Sequence, residues 1–334
     1  MEGKYALDRK DLRILVELDR DTRQSNNQIG KKVGLSKEVV HYRINRMLEG
    51  GLIVRFHTVI NYFKLGIAKF KAYLRLVDAD KAKLEEIAGY FNRHRKTEWV
   101  ALTTGRWDLI VGFLAHNANE FDDELQIALT KFSRYIQDKA VTTTLYLAHQ
   151  TREFLSASSK PEKSRVVYHT SKDPQEAIDE IDRGILRLLA NNARLPAVEI
   201  AHRLRTTPRV VQYRIKEMEK KKIILAYRTH LDSKRMGRIF CKAIIYLENI
   251  TKERLEQFIA YSSNMPGAIW PQRVLGSWDF ELDFELEDYD AFQDALLNLK
   301  EKFSDIIRSQ EFCILSKDFK LDLFPEAFPA LTQR

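Results

Sequence analysis

Two short stretches of the chain gather side chains able to hydrogen bond a flat polar edge or pair with a phosphate. Ser36, Lys37, Glu38, His41 and Asn45 form one; Thr207, Arg209, Gln212 and Lys216 form the other. Lys and Arg only donate, Asn and Gln donate and accept, and His can do either, so such a set can discriminate between patterns of donors and acceptors. Their spacing of three to four residues places them on one face of a helix. Val40, Ile44 and Leu48 recur at i, i+4 and i+8 and form the opposite face, turned inward.

The remaining chemistry-bearing residues assemble nothing comparable. The eight histidines (His41, His57, His94, His116, His149, His169, His202 and His230) are scattered, and no pair has the spacing of metal ligands. Cys241 and Cys313 stand 72 positions apart, which fits no metal or redox motif. There is no glycine-rich phosphate loop, no HExxH, no CxxC and no nucleophile elbow. The chain is therefore expected to carry no catalytic residues, no metal and no cofactor.

The elements that must hold the two polar faces follow from an internal repeat. Shifted by 171 residues, the sequence overlays itself: Asp8 and Asp11 on Asp179 and Asp182, Ile14-Leu15 on Ile185-Leu186, and Val39–Ile44 on Val210–Ile215. The register persists through Gly66 and Gly237, Trp99 and Trp270, the turns Gly105–Asp108 and Gly276–Asp279, and Lys131–Ser133 on Lys302–Ser304. Composition bias cannot keep one register over this distance and match two tryptophans, so the chain is a tandem duplication. Ser156–Ser164 is small and polar and reads as a linker, with a short extended piece near Val166–Tyr168.

Each copy changes periodicity near Gly66 or Gly237. The first part is helical, with Asp8, Ser25 and Ser36 as N-caps and Gly34 as a left-handed stop, and a hairpin is expected over Leu52–Val59. Helix, helix, turn, helix and hairpin make a winged helix-turn-helix. The second part alternates strands and helices as β-α-β-β-α-β: Phe70–Val77, Lys81–Phe91, Trp99–Thr104, Leu109–Ala115, Asn119–Tyr135 and Ala140–Leu147. The expected fold is α+β: two winged helix-turn-helix domains (1–66 and 178–237) alternating with two ferredoxin-like βαββαβ domains (67–155 and 238–334), with a linker over 156–177.

Leu7-Asp8 with Asp11 and Ile14-Leu15, Val33–Ser36, the Arg43-Ile44 helix, Gly51–Ile53, Leu65-Gly66 and Gly105–Asp108 together make the chain similar to the Lrp/AsnC family, the feast/famine regulators of bacteria and archaea. The resemblance covers both copies. It implies that the ferredoxin-like (RAM-type) parts sense a small effector, often an amino acid, and self-associate. It further implies an effector site between neighbouring sensing domains, at Thr104, Gly105, Asp108, Thr142 and Thr144 and at Gly276 and Asp279. Copy two has Cys313-Ile314-Leu315 where the threonines would fall, so its pocket is expected to be altered. The usual family chain carries one copy and dimerises; here the two copies are expected to form that dimer within one chain.

Charge agrees with this reading. The chain carries +8 overall, but residues 7–66 hold +5, residues 178–237 hold +7, and residues 238–334 hold −6. Positive charge on the helical parts is the footprint of a phosphate-backbone binder. Double-stranded DNA is thus the expected partner, read by Ser36, Lys37, Glu38, His41, Asn45, Thr207, Arg209, Gln212 and Lys216, with Arg55, Lys221 and Arg228 on the wings meeting phosphate. Arg43 and Arg214 either touch phosphate or pair with first-helix carboxylates. Trp99, Trp107, Trp270 and Trp278 are expected in the core or at an interface.

No apolar run approaches the ~20 residues that span a bilayer, no signal core opens the chain, and cysteines are few. A cytoplasmic location without membrane attachment is expected. Two alternatives share the architecture. One is a DNA-architectural protein. The other is an enzyme like the siroheme decarboxylases, which resemble the same two-part fold and would need histidines around the sensing-domain cavity. His94, His116 and His149 are available, whereas copy two adds only His230 after its helical part begins to close. The balance favours a regulator over an enzyme.

Overall fold

A computed structural model describes residues 5–156, 165–326 and 328. Part of the expected linker, 157–164, lies outside the described residues. The first copy runs α1 (Arg9–Arg20), α2 (Asn26–Val33), α3 (Lys37–Glu49), β1 (Ile53–Ile60), β2 (Ala68–Leu76), α4 (Lys81–Arg93), β3 (Thr97–Gly105), β4 (Leu109–Ala115), α5 (Ala118–Lys131) and β5 (Ile136–His149). A short strand, β6 (Val167–Thr170), follows where the extended piece was expected. The second copy runs α6 (Glu180–Ala190), α7 (Ala197–Arg203), α8 (Pro208–Lys220), β7 (Ile224–Leu231), β8 (Ile239–Leu247), α9 (Lys252–Ser262), β9 (Ala268–Gly276), β10 (Phe280–Leu286), α10 (Tyr289–Lys302) and β11 (Ile307–Leu321).

Local chemistry starts and stops these elements as the sequence indicates. Asp8 and Asp11 form a reciprocal capping box at α1, repeated by Asp179 and Asp182 at α6 and by Ser25 and Gln28 at α2. Each such N-cap is worth about 1 kcal/mol. Gly34 ends α2 at φ 69°, a conformation that glycine adopts without steric cost.

The expected wing hairpin is not formed. Ile53–Ile60 is one uninterrupted strand, with no turn residue inside it, and it pairs antiparallel with its counterpart in the other copy: Phe56 lies opposite Thr229 and Thr58 opposite Tyr227. A lone two-stranded ribbon is marginal in water. This one is covered by both helical heads, which share a single core containing Ile14, Leu15 and Leu18 from copy one and Ile185, Leu186 and Leu189 from copy two. Thr58 Oγ1 donates to the Leu189 carbonyl at 2.8 Å across that junction.

The ferredoxin-like parts also fuse. Their strands follow the order β2-β4-β3-β11-β8-β10-β9-β5, and β5 pairs again with β2, so the sheet closes into an eight-stranded barrel with β6 added to the end of β5. The copies meet along β3–β11 and β5–β9, where Gly105 faces Cys313 and Gly276 faces Thr142. The helices α4 and α5 cover copy one's half of the barrel, and α9 and α10 cover copy two's. Trp107 and Trp278 meet inside the barrel with Tyr73, Ile244 and Cys313. Trp99 packs against this cluster from its partly buried position, and Trp99 and Trp270 both line the cavity described below.

Inward-facing polar residues fill the other part of the barrel. Glu281 on β10 receives Lys71 of copy one and Lys242 of copy two, the latter at 3.1 Å, and Lys242 also reaches Asp283 at 2.7 Å. Lys71 and Lys242 are counterparts in the repeat, but the acids are not: copy one has Ile110 and Gly112 where copy two has Glu281 and Asp283. One copy thus supplies the counter-charges for both. Arg152, just beyond β5, bonds Glu285 of copy two at 2.6 Å and Asp19 of α1 at 2.9 Å, so a fully buried ion triad ties head, barrel and both copies together.

Candidate nucleic-acid interface and interior cavity

The inner faces of α3 and α8 are buried at Val40, Ile44 and Met47 and at Val211, Ile215 and Met218. Their outer faces meet solvent. Lys37, Glu38 and His41 are exposed and Asn45 is partly so; Arg209, Gln212 and Lys216 are exposed. Ser36 and Thr207 are also at the surface, but each spends its hydroxyl on capping, accepting from the Val39 and Val210 amides at 3.3 Å. Two residues absent from the expected set belong on these faces: Tyr42 is 65% exposed and Tyr213 60%. The two rings occupy the same position of both copies, 171 residues apart.

Arg43 and Arg214 take the structural role. Arg43 reaches Asp8 at 2.7 Å and Asp11 at 2.8 Å, and Arg214 reaches Asp179 at 2.9 Å and Asp182 at 3.4 Å. Each clamps the third helix of its head to the capped start of the first helix.

The expected wing contacts need correction, because the strands pair with each other instead of projecting. Arg228 is buried and donates to the carbonyls of Asp19 and Arg20 at 2.8 Å. Arg55 is turned inward, donating to the Leu321 carbonyl. Neither faces a phosphate. Lys221 closes α8, stays exposed, and lies 3.7 Å from Glu176.

The expected effector residues are also largely spent on structure. Asp108 accepts from the Leu76 amide and Asp279 from the Leu247 amide, both at 2.8 Å. Gly105 and Gly276 have φ of 122° and 144°, and a Cβ would lie 2.6 Å from the Phe312 carbonyl oxygen or 2.2 Å from that of Val141. These glycines are what allows the strands of the two copies to approach. Thr142 and Thr144 are buried, and Thr142 Oγ1 donates to Glu281 at 3.3 Å. Thr104 pairs with Ile314 on the joining strand. The set marks the seam between the copies.

The main cavity lies elsewhere, between the β1–β7 ribbon and the barrel, with a volume of about 540 Å³. Its wall includes His57 and His230 from the ribbon, His149 from β5 and His169 from β6, together with Lys69, Trp99, Trp270 and Arg238. His149 and His169 are in ring contact at 5.5 Å. Nδ1 of His57 and His230, Nε2 of His149 and both nitrogens of His169 have no hydrogen-bond partner among the described residues. Burial pulls all four imidazoles below their ordinary range, His169 and His230 to about 3, and neighbouring cations deepen the effect. They are neutral at pH 7. His94 and His116, by contrast, stand outside this cavity beside Glu124 and Glu120. Separation along the chain hid the cluster: its members come from four strands and both copies. Among the described residues no group of histidine, cysteine or carboxylate side chains has the arrangement of a metal site.

Two helix-turn-helix heads with solvent-facing polar helices, mounted on a shared barrel, define a DNA-binding regulator class. Residues 7–48 match the AsnC-type helix-turn-helix domain, and residues 178–224 match a winged helix-turn-helix DNA-binding domain. An uncharacterized HTH-type transcriptional regulator of Pyrococcus horikoshii is 36% identical over 115 residues, which is 34% of this chain and 77% of the relative. A proline dehydrogenase transcriptional activator of Rhizobium radiobacter is 34% identical over 106 residues, 31% of this chain and 68% of the relative. The chain belongs to the AsnC-type (Lrp/AsnC) family of helix-turn-helix transcriptional regulators. Both alignments, of 115 and 106 residues, are shorter than one copy of the repeat. The siroheme decarboxylase NirDL, in contrast, superposes along 96% of both chains with a TM-score of 0.63 and 12% identity, so the two share their fold from end to end. Among the described residues no helix is long and apolar enough to cross a membrane.

Proposed function

We propose that this chain is a single-chain pseudo-dimer that reads two unlike DNA half-sites. The observation that carries the reading is the pair of solvent-facing helix faces with different chemistry: Lys37, Glu38, His41 and Asn45 on one head, Arg209, Gln212 and Lys216 on the other. The shared core and the ribbon lock the heads together, and net charges of +5 and +7 on the two helical parts attract the phosphate backbone. Half-sites of a two-headed binder lie about one helical turn, or a multiple of it, apart. Arg209 is suited to guanine and Gln212 to adenine.

Selection from a random duplex library with the full chain tests this. An asymmetric pair of half-sites is expected. Arg209→Ala should weaken binding by about 1–3 kcal/mol through one half-site and leave the preference at the other unchanged. Binding that is uniform across sequences, or equal loss at both half-sites, would defeat the reading.

A second reading is favoured by the histidine-lined cavity. NirDL has been crystallised with an iron-uroporphyrin III analogue, and we propose that this cavity accepts an iron tetrapyrrole carboxylate. Its volume lies within the range of small-molecule sites. The unpartnered imidazoles supply neutral nitrogens for iron or hydrogen bonds for carboxyl groups. Titration with iron-uroporphyrin III should perturb its visible absorption, and His149→Ala or His230→Ala should weaken binding about tenfold, the scale of one lost polar contact. An unchanged spectrum at micromolar protein and ligand would sink this reading.

A further inference from the structure

The heads are joined by a matched pair of arginines, Arg23 and Arg194, which stand 171 residues apart. Arg23 of copy one donates to the Ala193 carbonyl at 2.7 Å and lies over the Tyr227 ring at 5.2 Å. Arg194 of copy two donates to the Thr22 carbonyl at 3.0 Å and lies over the Phe56 ring at 5.3 Å. Tyr227 and Phe56 are themselves counterparts, so the two contacts are symmetric.

One of them continues to the reading surface. Arg194 Nη2 donates to Asn26 Oδ1 at 2.9 Å, Asn26 Nδ2 lies 3.4 Å from His41 Nδ1, and His41 Nε2 lies 3.1 Å from Asn45 Nδ2. A guanidinium has only donors, so it fixes the Asn26 oxygen toward itself and the Asn26 –NH2 toward His41. His41 Nδ1 must then accept. In the neutral ring the proton then sits on Nε2, facing Asn45 Nδ2, so the Asn45 amide must turn over to accept it through Oδ1, which leaves the Asn45 –NH2 available to a ligand. Copy two has no such chain, because Ala197 and Gln212 occupy the positions of Asn26 and His41.

We propose that Arg194, carried by the second copy, is a positioning residue for base reading by the first head: through Asn26 and His41 it orients Asn45 as a donor toward an acceptor-rich base edge such as guanine N7/O6. This rests on the DNA-reading role of α3 proposed above. Without Arg194 the Asn26 amide is free to turn, His41 can take either tautomer, and Asn45 can present donor and acceptor together, the pattern that suits adenine.

The test is selection from a random duplex library with four full-length proteins: the parent chain, Arg194→Ala, Arg23→Ala and Asn26→Asp. Arg194→Ala should lower discrimination about five- to tenfold at one or two positions under the first head, toward tolerance of adenine, with the second half-site unchanged. Arg23→Ala removes the symmetric contact and should leave both preferences in place. Asn26→Asp keeps the Arg194 pair but offers His41 Nδ1 an acceptor. It should alter the same positions and leave thermal stability near that of the parent. A change spread equally over both half-sites, no change with Arg194→Ala, or the same change with Arg23→Ala overturns the relay. Absence of any sequence preference in the parent chain would instead overturn the DNA reading, and the relay with it.

Discussion

Glu281→Gln is expected to cost about 3–5 kcal/mol of stability, the scale found when one partner of a buried ion pair is removed and its counter-charge stays. Glu281 is fully buried and faces the ammonium groups of Lys71 and Lys242, while its other oxygen accepts from Trp278 Nε1 at 3.1 Å and Thr142 Oγ1 at 3.3 Å. Burial alone would raise its carboxyl, but the two lysines outweigh it and hold the group far below the ordinary carboxylate range. Its contribution is therefore complete above the unfolded value of about 4.3 and lost as pH falls below it. Lys242 would still have Asp283, but Lys71 would lose its carboxylate and keep neutral amide oxygens, that of Gln272 at 2.6 Å among them. Adding Lys71→Met should recover part of the loss, because the stranded charge is then gone. Chemical denaturation followed by circular dichroism measures both. A loss below about 1 kcal/mol, typical of exposed pairs, would contradict this account of the barrel interior.

Acidification from pH 7.5 to 5.5 is expected to destabilise the protein steeply, before the carboxylates titrate. His57, His149, His169 and His230 are held neutral by burial, beside Arg55, Arg152, Arg228 and Lys69. In the unfolded chain they protonate near pH 6.5. Below that pH the unfolded state binds more protons, so stability is fully present above pH 6.5 and is lost as pH falls toward the folded-state values. Each imidazole contributes up to about 1.4 kcal/mol per pH unit. Urea midpoints across this range give the slope, and His169→Phe, placed against Phe63, should reduce it by roughly a quarter, one histidine of four. A flat profile between pH 7.5 and 5.5 would show that the cavity histidines are already charged or exposed.

The wing hairpin is where the structure departs furthest from the local sequence pattern. The hairpin expected over Leu52–Val59 is instead one strand, Ile53–Ile60, whose partner is its counterpart 171 positions away. Arg55 and Arg228 changed role for the same reason: a strand covered on both sides turns its arginines toward carbonyls. The Gly105 and Gly276 turns were recognised as special, but the need they serve is close approach of β11 and β5, which no local pattern records. The reading helices were legible because residues a turn apart reveal both the buried and the open face. Tyr42 and Tyr213 share those faces in register, 171 residues apart.

The sequence by itself determined the duplication, the capped helices, the alternation of strands and helices and the segregation of positive charge. These depend on residues within a few positions of each other, or on composition. Tertiary structure alone decided that the copies close one barrel, that copy two neutralises the buried lysines of both, that Arg194 reaches toward the other head's His41, and that four distant histidines share a cavity. Those outcomes arise from edge strands pairing across the repeat. Backbone hydrogen bonds are nearly the same for every residue type, so the choice of partner strand leaves little trace in the sequence.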